Sequence, residues 1–525
     1  MTQPAASDAA AFDYLSSDAS SARLLRLGVG ALFLLLIWAF MHFGGLTVPG
    51  SPLLLVAALF GGYMAMNIGA NDVANNVGPS VGSGALTMTG AVIIAAIFEA
   101  AGALIAGGEV ISTIKGGIIN PEMVGDPRNF IWLMTGAVLA GAMWLNLATI
   151  LGAPVSTTHS IVGGVLGGGL AAGGLAIANW GVMGSIVASW VISPMLGGLI
   201  SAAFLYLIKL TVLYKQDRVM AARRVVPWLI GVMAWAFATY LVIKALPEIW
   251  DASFLEAAGV GLLVASAAFL VVRASIVRQA ATMANSTEGV NGLFTIPLIF
   301  AAALLSFAHG ANDVANAIGP VAAINEAITS GDIAGQAPIP LWVMLLGAVG
   351  LAVGLALYGP RLIRTVGSEI TELDKTRAYC IALAAAITVI IASQLGLPVS
   401  STHIALGAVF GVGFLREYLK TNYASRLHGI LEHHQGDDRE QLQAFLDDFR
   451  RASVEEMEAM IRQAKEQQTE VRLKKKERKR LKKIYQEEMV KRHLMLKIVA
   501  AWVITVPASG LLAAMFYFTL RGIFV

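Results

Sequence analysis

The sequence has few charged residues and almost no cysteine. Asp, Glu, Lys and Arg make up 14% of its 525 residues, against about 25% in soluble domains. Its one cysteine, Cys380, excludes a disulfide framework and a metal site built from several thiolates. The first 22 residues lack the basic start and apolar core of a cleaved secretory signal, so we predict a flexible cytosolic tail over 1–22.

Apolar residues dominate what remains. Hydrophobic residues account for 57% of the chain, and the mean hydropathy is +0.70. Most of the apolar runs approach the roughly 20 residues that a helix needs to cross a bilayer. These runs include those near 160–178 and 402–416, which follow Pro154 and Pro398. We therefore predict an all-α polytopic membrane protein with about twelve crossings, some of them broken or re-entrant.

Two phrases occur twice along the chain. Gly69-Ala-Asn-Asp-Val-Ala-Asn-Asn-Val-Gly-Pro79 returns as Gly310-Ala-Asn-Asp-Val-Ala-Asn-Ala-Ile-Gly-Pro320. Ala153-Pro-Val-Ser-Thr-Thr-His159 returns as Leu397-Pro-Val-Ser-Ser-Thr-His403. Because both phrases recur in the same order, the chain contains a duplicated binding apparatus.

The distribution of charge predicts that the two copies have opposite orientations. Basic loops stay in the cytoplasm, and the loops near 215–224, 273–278 and 361–377 are basic, whereas those near 248–256 and 326–332 are acidic or neutral. Tracing the spans from these loops sends the two Asn-Asp phrases through the membrane in opposite directions. This is the pattern of inverted-topology repeats, which place a substrate site near the bilayer midplane.

The same trace sets the domain boundaries. A strongly charged stretch, with eight Lys or Arg among residues 474–483, interrupts the second repeat and is interpreted as a cytosolic helical insert. It suits either a solvated helical face or contact with anionic lipid. The predicted segments are a tail over 1–22, a first repeat over 23–212, linking transmembrane helices over 213–285, a second repeat over 286–416, the insert over 417–492 and a final helix over 493–525.

The Asn-Asp phrases place carboxylates at membrane depth. An ionised aspartate there costs several kcal/mol unless it meets a cation, a proton or water, so Asp72 and Asp313 are predicted site residues. Their alternative is to cap a broken helix. Carboxylate and amide oxygens suit Na⁺ or a proton better than a transition metal.

The Pro-Val-Ser phrases suit an anion. Proline at the first turn of a helix, followed by hydroxyl residues, indicates a helix N-terminus, which carries a partial positive charge. Two such ends facing each other would hold a tetrahedral oxyanion, although ordinary N-capping is the alternative. The four phrases contain no Lys or Arg. If all four meet at one site, a mobile cation must offset the repulsion between the anion and the two aspartates, which predicts symport.

Three further residues have two interpretations each. His159 and His403 end the second phrases, where they can shuttle protons or simply pack. Glu99 lies inside an apolar span and can handle an ion or pair with a neighbouring helix. Glu109 and Lys115, in the loop after that span, are consistent with interfacial charges.

These phrases, together with Phe98-Glu99 and Gly107-Gly-Glu-Val110, resemble the inorganic phosphate transporter family. That family includes bacterial low-affinity phosphate carriers and the sodium/phosphate cotransporters of animals. The resemblance implies a homodimer of inverted-repeat transporters that moves phosphate with Na⁺ or H⁺. It assigns phosphate to Asn71, Ser156, Thr157, Thr158, Asn312, Ser400, Ser401 and Thr402, and the coupling ion to Asp72, Asn75, Glu99, Asp313 and Asn316. Many relatives have a second glutamate where this chain has Ala382, which leaves the number of coupled ions open.

The predicted function is import of inorganic phosphate across the inner membrane by alternating access, driven by H⁺ or Na⁺. Sulfate or another tetrahedral oxyanion is the alternative substrate, and an anion channel or a phosphate-sensing receptor is the alternative class. Neither hydroxyl run has an evident base for nucleophilic attack, so no enzyme is predicted. The expected partners are phosphate and membrane lipids, not nucleic acid, and no cofactor is expected beyond the coupling cation.

Overall fold

The computed structural model describes residues 20–44, 51–150, 155–245, 250–331, 338–369, 373–420 and 492–524, together with a few isolated residues. Helices account for nearly all of them, and the described part contains one isolated β-bridge, between Ile119 and Ala178. The α-helices are α1 (Ser20–Phe43), α2 (Ser51–Gly82), α3 (Met88–Ala106), α4 (Gly108–Ser112), α5 (Pro127–Ile150), α6 (Thr157–Gly173), α7 (Trp180–Ile208), α8 (Arg218–Ala245), α9 (Phe254–Ala280), α10 (Thr287–Leu293), α11 (Thr295–Thr329), α12 (Leu341–Glu369), α13 (Lys375–Gln394), α14 (Ser401–Lys420) and α15 (Arg492–Phe524).

Eleven of these helices, among the described residues, are long and apolar enough to span a membrane. The sequence predicted about twelve crossings. The two predicted runs without a spanning helix are those that follow the Pro-Val-Ser phrases. There α6 has 17 residues, about 26 Å at 1.5 Å per residue, which is less than a hydrocarbon core of about 30 Å. Its counterpart α14 ends in a charged segment that contains Arg416, Glu417 and Lys420.

Some predicted boundaries shift. Helix α1 begins at Ser20, so the predicted tail over 1–22 is too long by about one helical turn; residues 1–19 lie outside the described residues. The final helix begins at Arg492, next to its predicted start. Most of the predicted insert over 417–492 also lies outside the described residues. The chain divides into two compact units, one of residues 1–409 with 498–525 and one of residues 410–497.

Within the first unit, the helices that carry the Asn-Asp phrases pack against helices from the other half of the chain. A Cβ on Gly69 of α2 would lie under 3.0 Å from the carbonyl oxygen of Leu351 on α12. A Cβ on Gly310 of α11 would lie equally close to the carbonyl oxygen of Glu99 on α3. Glycine at these positions lets the backbones touch, as close helix packing in lipid requires.

Helix α11 forms the centre of this arrangement. It packs against α2, α3, α5, α12 and α13, and almost every residue from Ala301 to Ala327 is buried. Lipid-facing helices such as α9 instead expose large apolar side chains, for example Leu262, Leu263 and Val271. The second Asn-Asp phrase therefore lies inside protein at membrane depth.

Candidate functional site

The two predicted aspartates meet inside the bundle. Asp72 of α2 and Asp313 of α11 are both fully buried. The hydroxyl oxygen of Thr157, at the start of α6, lies 3.2 Å from Oδ2 of Asp72 and 3.3 Å from Oδ2 of Asp313. A hydroxyl has one proton to donate, so the two carboxylates compete for it. Two carboxylates this close repel each other unless a cation or proton lies with them.

Hydroxyls of the second Pro-Val-Ser phrase complete the contacts to the aspartates. Ser401 donates a hydrogen bond of 3.1 Å to Oδ2 of Asp313. Thr402 lies 3.0 Å from Oδ1 of Asp72, which also accepts a hydrogen bond from the Asn71 amide at 3.0 Å. Each aspartate thus contacts hydroxyls from the Pro-Val-Ser phrases of both halves of the chain.

The asparagines one turn after the aspartates form a reciprocal pair of contacts. The amide of Asn75 donates to the Thr402 hydroxyl at 2.8 Å, and the amide of Asn316 donates to the Thr158 hydroxyl at 3.1 Å. In each pair the asparagine comes from one copy of the first phrase and the threonine from the opposite copy of the second. All four phrases therefore converge at one site.

Two oxygens of the second Asn-Asp phrase have no hydrogen-bond donor. Oδ1 of Asp313 and Oδ1 of Asn316 are buried and unpartnered. A buried polar atom without a partner is costly, and carboxylate and amide oxygens are the ligands that a hard cation prefers. These two oxygens are therefore candidate cation ligands.

The Pro-Val-Ser phrases begin helices α6 and α14, as the sequence predicted. Ser156 accepts a hydrogen bond from the backbone N–H of His159 at 3.2 Å, and Ser400 accepts one from that of His403 at 3.3 Å. These two serines therefore act as N-caps, which is the alternative that the sequence left open for the phrase. The prediction of proline in the first helical turn is wrong for Pro398: it lies in the extended segment before α14, which starts at Ser401. Pro154 lies outside the described residues.

Asn312, a predicted phosphate ligand, is engaged with protein atoms. Its amide nitrogen donates to the Ser393 hydroxyl at 3.0 Å and to the carbonyl of Leu397 at 3.2 Å, and its oxygen accepts the backbone N–H of Val399 at 3.2 Å. This side chain holds the extended segment in front of α14 and so positions the phrase.

Glu99 belongs to a polar cluster behind the aspartates. Its Oε1 accepts a hydrogen bond from the Asn76 amide at 2.7 Å and lies 3.2 Å from Nδ1 of His309. The other ring nitrogen, Nε2, lies 3.4 Å from Oδ2 of Asp313 and 3.7 Å from Oδ2 of Asp72. His309 therefore connects Glu99 to both aspartates, at positions where all four side chains are buried.

Sequence reasoning missed His309 and Asn76. The available signal was a titratable residue inside an apolar span four residues before Asp313, on the same helix face. One ligand atom each from Asp72, His309 and Asp313 lies within 4.8 Å of the others, near enough to share one cation.

His159 and His403 lie together behind the hydroxyl runs. Their ring centroids are 4.9 Å apart, and the His159 ring packs on Trp190 with a centroid distance of 3.7 Å. The indole nitrogen of Trp190 donates to the carbonyl of Pro398 at 3.0 Å. This arrangement favours the packing interpretation for the two histidines.

Glu99 has a different counterpart in the second half from the one the sequence suggested. A Cβ on Gly102 would meet the carbonyl oxygen of Phe307, and a Cβ on Gly354 that of Met66. Gly102 therefore corresponds to Gly354, which makes Leu351 the counterpart of Glu99. Ala382, the position that the sequence analysis compared with Glu99, lies buried on α13.

The chain is similar to known proteins over most of its length. The model of the phosphate transporter family matches residues 68–513. A protein from Helicobacter pylori strain J99, named "Putative phosphate permease", is 52% identical over 502 residues, which cover 94% of this chain and 93% of that protein. One of the same description from Pyrococcus abyssi is 41% identical over 365 residues, covering 70% and 89%.

A solved structure named "The sodium-dependent phosphate transporter" is also similar. It superposes with a TM-score of 0.73 at 32% sequence identity, and the match covers 90% of this chain and 100% of that one. This solved structure therefore has a similar fold. The chain belongs to the phosphate transporter family and is an integral membrane protein.

Proposed function

We propose that this protein is a symporter that imports inorganic phosphate by alternating access, with Na⁺ as the coupling ion. The observation that carries the proposal is the meeting of Asp72 and Asp313 through shared hydroxyl contacts. Two buried carboxylates cannot accept an anion beside them without a compensating cation. Phosphate and cation therefore bind together, and movement of one depends on the other.

The proposed cation ligands are the carboxylate and amide oxygens of the Asn-Asp phrases. Oδ1 of Asp313 and Oδ1 of Asn316 are the best placed, because they are buried without a donor. Both of these atoms are hard oxygen ligands, which suit Na⁺. The similar solved structure is also named sodium-dependent, so Na⁺ is favoured over H⁺. The full proposed set is Asp72, Asn75, Glu99, Asp313 and Asn316.

The proposed phosphate ligands are the hydroxyls and backbone N–H groups at the N-termini of α6 and α14. Helix N-termini bind anions through unpaired N–H groups and the helix dipole. Asn312 and the capping serines position these ends, and Thr157, Thr158, Ser401 and Thr402 present hydroxyls at the site. The full proposed set is Asn71, Ser156, Thr157, Thr158, Asn312, Ser400, Ser401 and Thr402.

Alternating access is proposed to follow from the duplication. The reciprocal contacts of Asn75 with Thr402 and of Asn316 with Thr158 support two repeats of inverted topology that rock about a midplane site. The first repeat is assigned to 23–212, the second to 286–416 with 493–525, and the linking helices to 213–285. The tail and the 417–492 insert are placed in the cytosol, the protein in the inner membrane as a homodimer, and no enzymatic activity is assigned.

Radiolabelled phosphate uptake into proteoliposomes tests this proposal, with Na⁺ and H⁺ gradients imposed separately. The expected result is uptake that follows the Na⁺ gradient and is unaffected by excess sulfate. Uptake that follows only the H⁺ gradient would change the ion, and competition by sulfate would change the substrate. Flux that ignores both gradients would contradict coupled transport. Liposomes that contain the Asp72→Asn, Asp313→Asn double variant supply the background.

A further inference from the structure

A short segment after α3 crosses the second Asn-Asp helix. It comprises α4 and the π-helical turn Thr113–Gly117, and we call residues 108–117 the outer strap. Ile114 of the strap packs against Gly319 of α11, where a Cβ would lie under 3.0 Å from its side chain. The strap thus joins the first half of the chain to the helix that carries Asp313.

A buried ion pair fixes the strap to α11. Nζ of Lys115 lies 2.5 Å from Oε2 of Glu326, and the two side chains are 3% and 7% exposed. The sequence interpretation of Lys115 as an interfacial charge is therefore wrong. Burying two charges costs about as much as their attraction returns, so such a pair adds little net stability. That property suits a two-state contact.

The strap also contacts the turn that leads into the second Pro-Val-Ser phrase. The hydroxyl of Thr113 donates to the carbonyl of Gly396 at 2.7 Å. Gly396 has a φ of +64°, a conformation that favours glycine, and the phrase begins at the next residue. A more exposed ion pair, between Glu109 and Lys244 at 3.1 Å, ties the strap to α8.

The asparagines of the second Asn-Asp phrase, which lies on the helix that the strap contacts, are more deeply buried than the matching asparagines of the first. Asn71 and Asn75 are half-buried, whereas Asn312 and Asn316 are fully buried. Glu326 follows Asn316 by ten residues on the same helix, a rise of about 15 Å. The site is thus closed on the side toward which α11 runs, and the strap lies on that side.

The duplication does not repeat the charges of this ion pair. Gly310 corresponds to Gly69, so at the same spacing Ala85 is the counterpart of Glu326. Gly354 corresponds to Gly102, so at the same spacing Gly367 is the counterpart of Lys115. Neither counterpart carries a charge, so these two positions can form an ion pair in one half of the chain only.

We propose that Lys115 and Glu326 form a gate latch, which holds the strap closed over the face at which α11 ends and separates when that face opens. The charge pattern predicts that this face is extracellular. The inference rests on the proposed alternating access. When the latch opens, Asn316 becomes accessible from this face and Asn75 becomes less accessible from the other.

Thiol labelling from each face tests the latch independently of phosphate transport. In a Cys380→Ala background, Asn316→Cys reports on the strap face and Asn75→Cys on the opposite face, with a membrane-impermeant maleimide applied to vesicles of known orientation. With Lys115→Met or Glu326→Gln added, we expect labelling at position 316 to become at least 10-fold faster and labelling at position 75 to become slower. The charge-swapped pair Lys115→Glu with Glu326→Lys should restore slow labelling at position 316.

The control is Lys244→Gln, which breaks the exposed ion pair and should change either rate less than twofold. Unchanged labelling at position 316 in both latch variants would overturn the proposal. Faster labelling at both positions would overturn it too, since that result indicates general loosening of the fold. Opposite changes at the two positions, together with no phosphate uptake by the Cys380→Ala parent that keeps Asn75 and Asn316, would retain the latch and reject the proposed function.

Discussion

Two faces of the bundle have the same backbone packing and opposite chemistry. Helix α2 packs on α12 through Gly69, and helix α11 packs on α3 through Gly310. The first face places Leu351, Ile68 and Ala317 at the positions where the second has Glu99, His309 and Asn76. The three residues of the first face are buried and apolar, and those of the second are buried and hydrogen-bonded or close to carboxylates.

The difference separates what duplication preserves from what it does not. The aspartates, their asparagines and the hydroxyl runs occur in both halves and meet at one site, so binding uses both copies. The cluster of Glu99, His309 and Asn76 occurs in one half only. Because buried ionisable groups in a membrane are expensive, this cluster points to a task that the apolar face does not perform.

The largest effect should come from the residues that both halves share. Asp72→Asn and Asp313→Asn each remove a charge that offsets the cation, while an amide keeps the size of the side chain. We expect each change to lower sodium-driven phosphate uptake roughly 100-fold. The measurement is initial uptake in proteoliposomes, normalised to the amount of reconstituted protein.

A comparison of the two variants sharpens the point. Equal losses would indicate that the copies contribute equally to binding. A loss at Asp313 alone would mean that its unpartnered oxygen, rather than the duplication, determines coupling. Uptake like that of the wild type in both variants would reject the site.

A smaller effect is expected at the face that only one half has. Glu99→Gln keeps an oxygen that can accept the hydrogen bond from Asn76 but removes the charge next to His309. We expect uptake about 10-fold lower, equivalent to about 1.4 kcal/mol, with little change in the thermal unfolding temperature measured in detergent.

Glu99→Leu, which copies Leu351, is the matched variant. It removes the acceptor as well and leaves the buried amide of Asn76 unpaired, so unfolding should also become easier by about 1 to 3 kcal/mol. If Glu99→Gln transports normally while Glu99→Leu unfolds early, Glu99 has a structural role alone.

The smallest effect on transport should come from the backbone contact that the two faces have in common. Gly69→Ala and Gly310→Ala each place a methyl group against a backbone carbonyl. Such overpacking destabilises a protein by about 1 to 3 kcal/mol. We expect both variants to lose a similar amount of unfolding free energy, measured by chemical denaturation in detergent. Gly184→Ala on α7, where nothing lies within 4 Å, is the control and should be neutral.

The sequence predicted the parts of this site that are repeated. Hydropathy located the eleven spans, and the duplicated phrases identified Asp72, Asp313 and the hydroxyls that contact them. Duplication carries information because two copies in step are unlike chance composition. His309 directly precedes the second Asn-Asp phrase, but Ile68 stands at the equivalent position before the first, and Lys115 lies outside all four phrases. The roles of His309 and Lys115 depend on partners far along the chain, Glu99 and Glu326.

The sequence predictions that the structure revised or had to decide have similar physical explanations. About twelve crossings were predicted and eleven of the described helices are long and apolar enough to span, because hydropathy cannot distinguish a full span from a helix such as α6 that begins inside the protein. The role of Ser156 and Ser400 could not be chosen, because a serine before a helix serves equally as a cap or as a ligand until its hydrogen bond is known. Lys115 was misassigned because Glu326 lies more than 200 residues later.

Residues of the first half contact residues of the second half, so the order in which the chain is synthesised affects its assembly. Asp72 contacts Thr402, 330 residues further along the chain. At about 5 to 20 residues per second, synthesis takes roughly 15 to 70 s to reach that partner. During this time α2 carries its aspartate without the residues that will surround it. The first half therefore cannot finish its own interior before the second half enters the membrane, and the two must assemble as one unit.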